Sequence, residues 1–454
     1  MKKWLALILA AALLLSFAGC AGAKKEEEKE PLRICVDMEY LALGRDVEKI
    51  SEALSKIISR LVFKGGPQGV KIEMIPCGSY TKGNTEREIM ISRIRTEIMA
   101  GEGPDIFIAS CPSGIMMQRS EPLFTMPEKA MESGLFLPLD EYIENAQFME
   151  WDKLAPEIME AGRNEYGQQI LPLSYTMPLT YFKESEVEHM PTDTLTWQDM
   201  LQDESGVMKA AANWIREEEY FGMFPLEGGH IDCALGKLID HRAGELLFTE
   251  EELLQRTKEM LELADLYDDG VITSGPSHYT ATINTQFKEK CEGLSFNGGI
   301  AAEEPLTMVP IYADDGGCSA NIVSFAAINV NTKQPEEAFM ILDFLLSLEI
   351  QQTSELYTQF LCYDSAIPVH TELMQESCPV VYSDEYLCCL DEESFASFTA
   401  VREQVTHAHF NGTFEMELDN MMMKCLQIHS GETDGDIEKV VADYYDRLGM
   451  LAAE

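Results

Sequence analysis

Basic residues are scarce in this chain. Its 454 residues hold 34 Lys and Arg against 78 Asp and Glu, a formal net charge of -44 at pH 7. A phosphate backbone is repelled by such a surface, so nucleic acid is excluded as a partner of the body as a whole. Tryptophan is thin too: the 4 residues are Trp4, Trp151, Trp197 and Trp214. The 12 cysteines show no C-x-x-C spacing, and setting Cys20 aside leaves an odd number. That pattern argues against a disulfide framework and against structural zinc, which wants close ligand pairs. It makes Cys35, Cys77, Cys111, Cys233 and Cys291 small buried hydrophobes. After the N-terminus no apolar run reaches the ~18 residues of a membrane helix. No fixed-period repeat appears, which excludes a solenoid. His407-Ala-His409 has no neighbouring cysteine or carboxylate and reads as a solvated pair. Asp268-Asp269-Gly270 lacks the alternating oxygens of a calcium loop, and Gly65, Gly66 and Gly69 form a turn before a strand. Among so many acids no glycosidase pair stands out. No cofactor and no metal is expected.

What is present is an ordinary folded composition, 46% apolar and 25% charged, over a length that suits two or three domains. Lys2 and Lys3 precede an apolar run from Trp4 to Leu15, followed by Ser16-Phe17-Ala18-Gly19-Cys20. Too short to span a bilayer, this stretch resembles a bacterial lipoprotein signal. Residues 1–19 would then be removed and Cys20 would carry lipid, holding the protein at the extracellular face of the cell membrane. Residues 20–30, rich in Lys and Glu, read as a solvated tether.

Beyond the tether, strand and helix alternate. Leu32 to Met38 is β-rich, and Val47, Ile50, Leu54, Ile57, Ile58 and Leu61 recur at helical spacing. Val70 to Ile75 is a second strand, Asn84 caps a helix carrying Ile89, Ile91, Ile94 and Ile98, and Asp105 to Ala109 is a third strand. Alternation of this kind predicts a parallel sheet covered by helices, with ligands beyond the carboxyl ends of the strands. Ile170 to Phe182 is a long β-rich run broken by Pro172 and Pro178, Glu250 to Tyr267 a helix, and Asn321 to Val330 a strand. A helix opens at Gln334-Pro335 and another closes the chain over Ile437 to Leu451.

Six segments, in order, resemble the type 1 extracellular solute-binding proteins of bacterial ABC importers, the maltose-binding-protein-like carbohydrate family. They are Ala100-Gly-Glu-Gly-Pro-Asp-Ile-Phe107, Leu137-Pro-Leu-Asp-Glu-Tyr142, Tyr166-Gly-Gln168 with Leu171-Pro-Leu173 and Leu179 to Lys183, Thr196-Trp-Gln-Asp-Met-Leu201, Phe287 to Gly298, and Pro335-Glu-Glu-Ala-Phe339. The resemblance implies an α/β, two-lobed periplasmic-binding-protein-like fold, each lobe a mostly parallel sheet flanked by helices. Residues 31–172 plus 312–355 would form the N-terminal lobe, and 173–311 plus 356–454 the C-terminal lobe. It also implies a protein that is no enzyme: a small-molecule solute, an oligosaccharide by the resemblance, is trapped by lobe closure and handed to ABC permease subunits. The runs 172–178 and 308–313 match the places where the family's chain changes lobe. Independently, proline-punctuated extended runs between different sheet blocks are what a hinge needs. A sensing role beside a membrane receptor and a surface glycoside hydrolase are the alternatives.

Sugar capture stacks a pyranose face on an aromatic ring while short polar groups bond its hydroxyls. Tyr40, just past a strand, and Tyr175 and Tyr312, in the hinge runs, are the aromatic candidates. Ser110 and Asn297 are the polar ones, joined by Glu227 and His230 of the glycine loop.

Overall fold

The computed structural model describes residues 30–38, 47–77, 84–111, 121–176, 179–183, 231, 235–268, 295–297, 306–310, 317–352, 367–374, 387–389 and 392–453. Leu32–Asp37 (β1) lies between Val70–Met74 (β2) and Ile106–Ser110 (β3) and runs parallel to both. Helices Val47–Phe63 (α1) and Thr85–Met99 (α2) make the two crossovers. In α1 the side chains of Ile50, Leu54, Ile57, Ile58 and Leu61 are buried on one stripe, as their spacing requires. Asn84 caps α2: its Oδ1 accepts the N–H groups of Glu86 and Arg87 at 3.0 and 3.3 Å. Ile91 and Ile94 of α2 point inward, whereas Ile89 is 64% exposed and falls off the buried stripe.

The β-rich run over 170–182 resolves into Ile170–Thr176 (β4) and Leu179–Lys183 (β5). Pro172 does not break it. It sits inside β4 opposite Phe325, where the partner strand shifts register between Ser324 and Phe325, and such an irregularity tolerates a residue without an N–H. Leu306–Pro310 (β6) pairs antiparallel with β5 in a separate two-stranded sheet. Cys318–Ile328 (β7) then enters the large sheet, antiparallel to β3 on one side and to β4 on the other. The chain therefore leaves the large sheet between β4 and β5 and returns between β6 and β7, and its two passages are neighbours in both sheets.

Ile367–Pro368 (β8) adds to β4, and Val405–Phe410 (β9) runs parallel to the first half of β7. The sheet order is β8–β4–β7–β3–β1–β2, with β9 beside β7. Residues 367–368 and 405–410 thus belong to the first sheet, although the sequence boundary assigned all of 356–454 to the second lobe. Among the described residues, their backbone groups pair with edges of β4 and β7 that have no other strand partner.

Two hydrophobic cores result. The first packs the large sheet against α1, α2, Pro127–Glu132 (α3) and the later helix that begins at Pro335. Phe107, Phe124 and Phe136 meet edge to face, with centroids 5.1 to 6.1 Å apart. The second gathers Phe248, Leu253, Met260 and Leu261, from Glu250–Asp268 (α4) and the residues before it, with Phe414, Leu418, Met421 and Met422 of a long C-terminal helix. The helix of the first core, Pro335–Leu345 (α5), carries an inward Asp343 whose carboxylate accepts the N–H groups of Gln147, Phe148 and Met149 at 2.7, 3.1 and 2.7 Å. That carboxylate satisfies three backbone donors of a turn no strand reaches. Thr413–His429 (α6) and Ile437–Ala453 (α7) close the second core against α4.

A short joint connects the cores. Phe410 packs in the first and Phe414 in the second. Between them the N–H of Phe410 donates to Glu128 at 3.0 Å, that of Gly412 to Glu415 at 2.7 Å, and that of Thr413 to the Thr125 carbonyl at 2.9 Å. Burial, then the Glu128 carboxylate, push Glu415 up to about 8.

A buried ion pair holds the end of β1. Arg87 and Asp37, each 1% exposed, meet through two bonds of 2.7 and 3.0 Å. Arg87→Met should lower stability by about 3 to 5 kcal/mol, because it strands a buried carboxylate. Urea denaturation at neutral pH measures this, and a loss within the error of extrapolation would contradict it. Glu415 gives a second expectation. Its folded value lies above the unfolded one near 4.5, so its contribution is complete below that pH and is lost as pH rises through about 8. Glu415→Gln should therefore flatten the fall in stability over that window, read as the difference in urea midpoints between the two proteins at each pH.

Candidate functional site

Because β1, β2 and β3 are parallel, and β4 shares their direction through antiparallel β7, the carboxyl ends of these strands lie along one edge. Ser324 stands opposite both Ser110 and Ser174, so three serines form a row across β3, β7 and β4 at that edge. All three are buried. The Ser174 and Ser324 hydroxyls are 2.6 Å apart, and the Ser110 hydroxyl donates to the Asp37 carbonyl at 3.3 Å. In β3 and β4 the residues before the row, Ile106–Ala109 and Ile170–Leu173, are apolar.

The Asp37–Arg87 pair sits beside it and reaches further. The second carboxylate oxygen accepts the Leu123 N–H at 2.9 Å, and Arg87 donates to the Glu121 carbonyl at 2.9 Å. Residues 121–123 are thus drawn onto the edge by charge-assisted bonds. One position outward from the row, the Cys111 N–H donates to the Val323 carbonyl at 2.8 Å. This edge is a fixed polar floor at the carboxyl ends of the strands. Among the described residues it brings together hydroxyls, backbone groups and one neutralised ion pair, which suits holding polar groups in place.

The candidates from sequence fare differently. Ser110 lies in the row, with its hydroxyl already engaged. Tyr175 was expected to line an open cleft in a hinge run. Instead β4 continues through it, opposite Ile367, and its ring is 1% exposed within the first core. Burial pushes its phenol well above the ordinary value. A ring so placed packs the sheet and offers no face to solvent. Asn297 lies in the short strand Ser295–Asn297, paired with Leu387–Cys389 in a sheet separate from the large one. Tyr40, Glu227, His230, Tyr312 and the lipidation candidate Cys20 lie outside the described residues. Sequence reasoning passed over Asp37, Arg87, Ser174 and Ser324. For Asp37 and Ser174 the signal was a polar residue after an apolar stretch of strand, as in LRICVD and ILPLSYT, whereas Arg87 lies in a helix and Ser324 inside β7, where no local pattern marks them.

Of the cysteines whose side chains are described, Cys35, Cys111, Cys318 and Cys425 are buried and Cys77 is half-buried. Burial holds Cys35 and Cys111 well above the usual thiol value, consistent with small inert hydrophobes. His407 departs from the solvated reading, since its Nε2 lies 2.6 Å from the Ser319 hydroxyl across the β7–β9 pair. No helix of the described residues is long and apolar enough to cross a membrane.

No protein-family model matches the chain, and a search of curated proteins finds no match. Solved structures do match it over nearly its whole length. An extracellular solute-binding protein of family 1 from Alicyclobacillus acidocaldarius subsp. acidocaldarius DSM 446 is 14% identical, with TM-score 0.53 over 94% of this chain and 100% of the other. An ABC substrate-binding protein from Listeria monocytogenes, in complex with cycloalternan, is 11% identical, with TM-score 0.54 over 93% and 99%. The sugar-binding protein MalE from Xanthomonas citri is 13% identical, with TM-score 0.56 over 93% and 97%. At such identities the likeness speaks for the fold, and together with the sheet order and the paired passages between sheets it establishes that this chain has the fold of the family 1 extracellular solute-binding proteins.

Proposed function

We propose that the protein is a lipid-anchored solute-binding protein that captures an oligosaccharide between two lobes and delivers it to an ABC permease without altering it. The observation that carries this reading is the pair of neighbouring strand passages, β4 to β5 and β6 to β7, beside a polar floor at the carboxyl edge. Two adjacent passages allow one body to rotate on the other while both sheets stay intact, because a few residues absorb the dihedral change. The structural relatives, whose names describe sugar and cycloalternan binders, support a carbohydrate ligand. The signal-like segment before Cys20 supports the lipid anchor at the extracellular face.

Within this reading Tyr40 and Tyr312 supply the stacking surfaces. Tyr40 follows the last residue of β1 by three positions, and Tyr312 falls in the return passage between Pro310 and Cys318. Ser110 contributes from beneath, while Asn297, Glu227 and His230 would come from the opposite lobe. Tyr175 supports the floor through packing.

Thermal denaturation against a panel of oligosaccharides and peptides tests the assignment. A true ligand at about 100 times its dissociation constant should raise stability by roughly 2.7 kcal/mol. Response to peptides alone would remove the sugar, and turnover of any ligand would remove the non-enzymatic reading. With a ligand in hand, Tyr40→Ala or Tyr312→Ala should weaken binding about fivefold or more, the loss of one stacked ring. Tyr175→Ala should instead lower the stability of the free protein by about 3 to 5 kcal/mol, the usual cost of emptying a buried ring site. Small-angle scattering should show a smaller radius of gyration at saturating ligand, and an unchanged radius would contradict lobe closure.

A further inference from the structure

Away from the carboxyl edge, the turn around Trp151–Lys153 meets the segment after β8. Leu154 and His370 form an isolated antiparallel bridge, and the Ala155 N–H donates to the Val369 carbonyl at 2.8 Å. The Thr371 hydroxyl donates to the Lys153 carbonyl at 2.8 Å. The His370 N–H is itself fixed on the Gln351 Oε1 at 3.0 Å. These bonds set the positions of Glu150, His370 and Glu372, and one ligand atom from each lies within 4.8 Å of the others.

His370 is the unusual member. Its side chain is 0% exposed, yet neither Nδ1 nor Nε2 has a hydrogen-bond partner. A buried imidazole must carry a donor or an acceptor on each nitrogen, and leaving both unmatched is costly. Its Nε2 faces the Glu150 carboxylate at 4.0 Å, too far for a hydrogen bond. Two ligands each about 2.1 Å from a tetrahedral ion stand about 3.4 Å apart. The 4.0 Å gap between His370 and Glu150 is therefore wider than that spacing by only about half an ångström, a shift that an exposed glutamate side chain can make.

We propose that Glu150, His370 and Glu372 bind one divalent transition-metal ion of the zinc type. One imidazole nitrogen and two carboxylate oxygens make a three-ligand set that leaves a position for water. Calcium and magnesium prefer oxygen ligands throughout, so the buried imidazole selects against them. The carboxylates have room to close on the ion: Glu150 is 55% and Glu372 32% exposed at the side chain. Lys153 already holds a cation there, its Nζ 2.7 Å from Glu372 Oε1. At 40% exposed it is a weak competitor that can swing into solvent when a doubly charged ion arrives. The bound ion would tie the 150–153 turn to residues 370–372 and so fasten the edge strand β8. This site shares no residue with the carboxyl edge and stands whether or not the solute is a sugar.

Zinc dialysis and cobalt spectroscopy on the purified full-length protein test it. The expected result is one Zn2+ per chain, and a Co2+ spectrum with visible d–d bands and no thiolate charge-transfer band. Glu150→Gln, Glu372→Gln and His370→Asn should each weaken binding about tenfold or more, and Lys153→Met should tighten it. Because His370→Asn alters a buried position and can unfold the chain, the exposed Glu150→Gln and Lys153→Met carry the decision. A thiolate band would place the ion on cysteines and overturn the proposal. So would the absence of binding, or an affinity unchanged by Glu150→Gln and Lys153→Met.

Discussion

The pairing of Asp37 with Arg87 is the constraint on which the carboxyl edge of the sheet depends. A carboxylate at the end of the central parallel strand is taken out of water, and taking it out is unfavourable unless an opposite charge and further donors come with it. Arg87 answers from the first turn of α2, where Asn84 fixes the helix start. The Asp37 carboxylate also takes the Leu123 N–H, and one further guanidinium hydrogen goes to the Glu121 carbonyl. Three stretches distant in sequence are thereby held at one point. The same interaction that neutralises a charge fixes the floor at that edge.

Around that point the sheet is stiffened on its outer side as well. Arg33 bonds Glu73 and Glu97 at 2.9 and 2.8 Å, and Lys71 and Arg93 reach the same Glu73. Burial alone would raise Glu73, but the bonds from Arg33 and Lys71 more than reverse it and hold the carboxyl at about 2. In a chain with so large an excess of acid, the few cations are spent where strands and helices must be pinned together. Among the described residues, the joint at 410–414 runs from the first core to the second, and the β4–β5 and β6–β7 passages run from the large sheet to the two-stranded one.

His370 and Glu415 illustrate two ways in which a buried titratable group can be tolerated. Glu415 accepts a backbone N–H and gives up its charge over much of the pH range. His370 has no partner on either nitrogen, and the two carboxylates beside it supply the complement that a metal ion would complete.

Much of this architecture was legible in the sequence, because it is written in local periodicity. The helical spacing of Ile50, Leu54, Ile57 and Leu61, the Asn84 cap and the proline at the start of α5 each act over a few residues and decide their element alone. The α/β class followed from strand and helix alternating, and the bland reading of the described cysteines from their spacing. Tertiary structure decided what depends on partners far along the chain. Pro172 stays within a strand because β7 shifts register opposite it, and Tyr175 is core because β4 runs on past it. Residues 367–368 and 405–410 join the first sheet because its strand edges need them. The serine row exists only because three strands meet in one register, and Asp37 finds Arg87 fifty residues away. No local pattern encodes such meetings, since burial and pairing are properties of the packed whole.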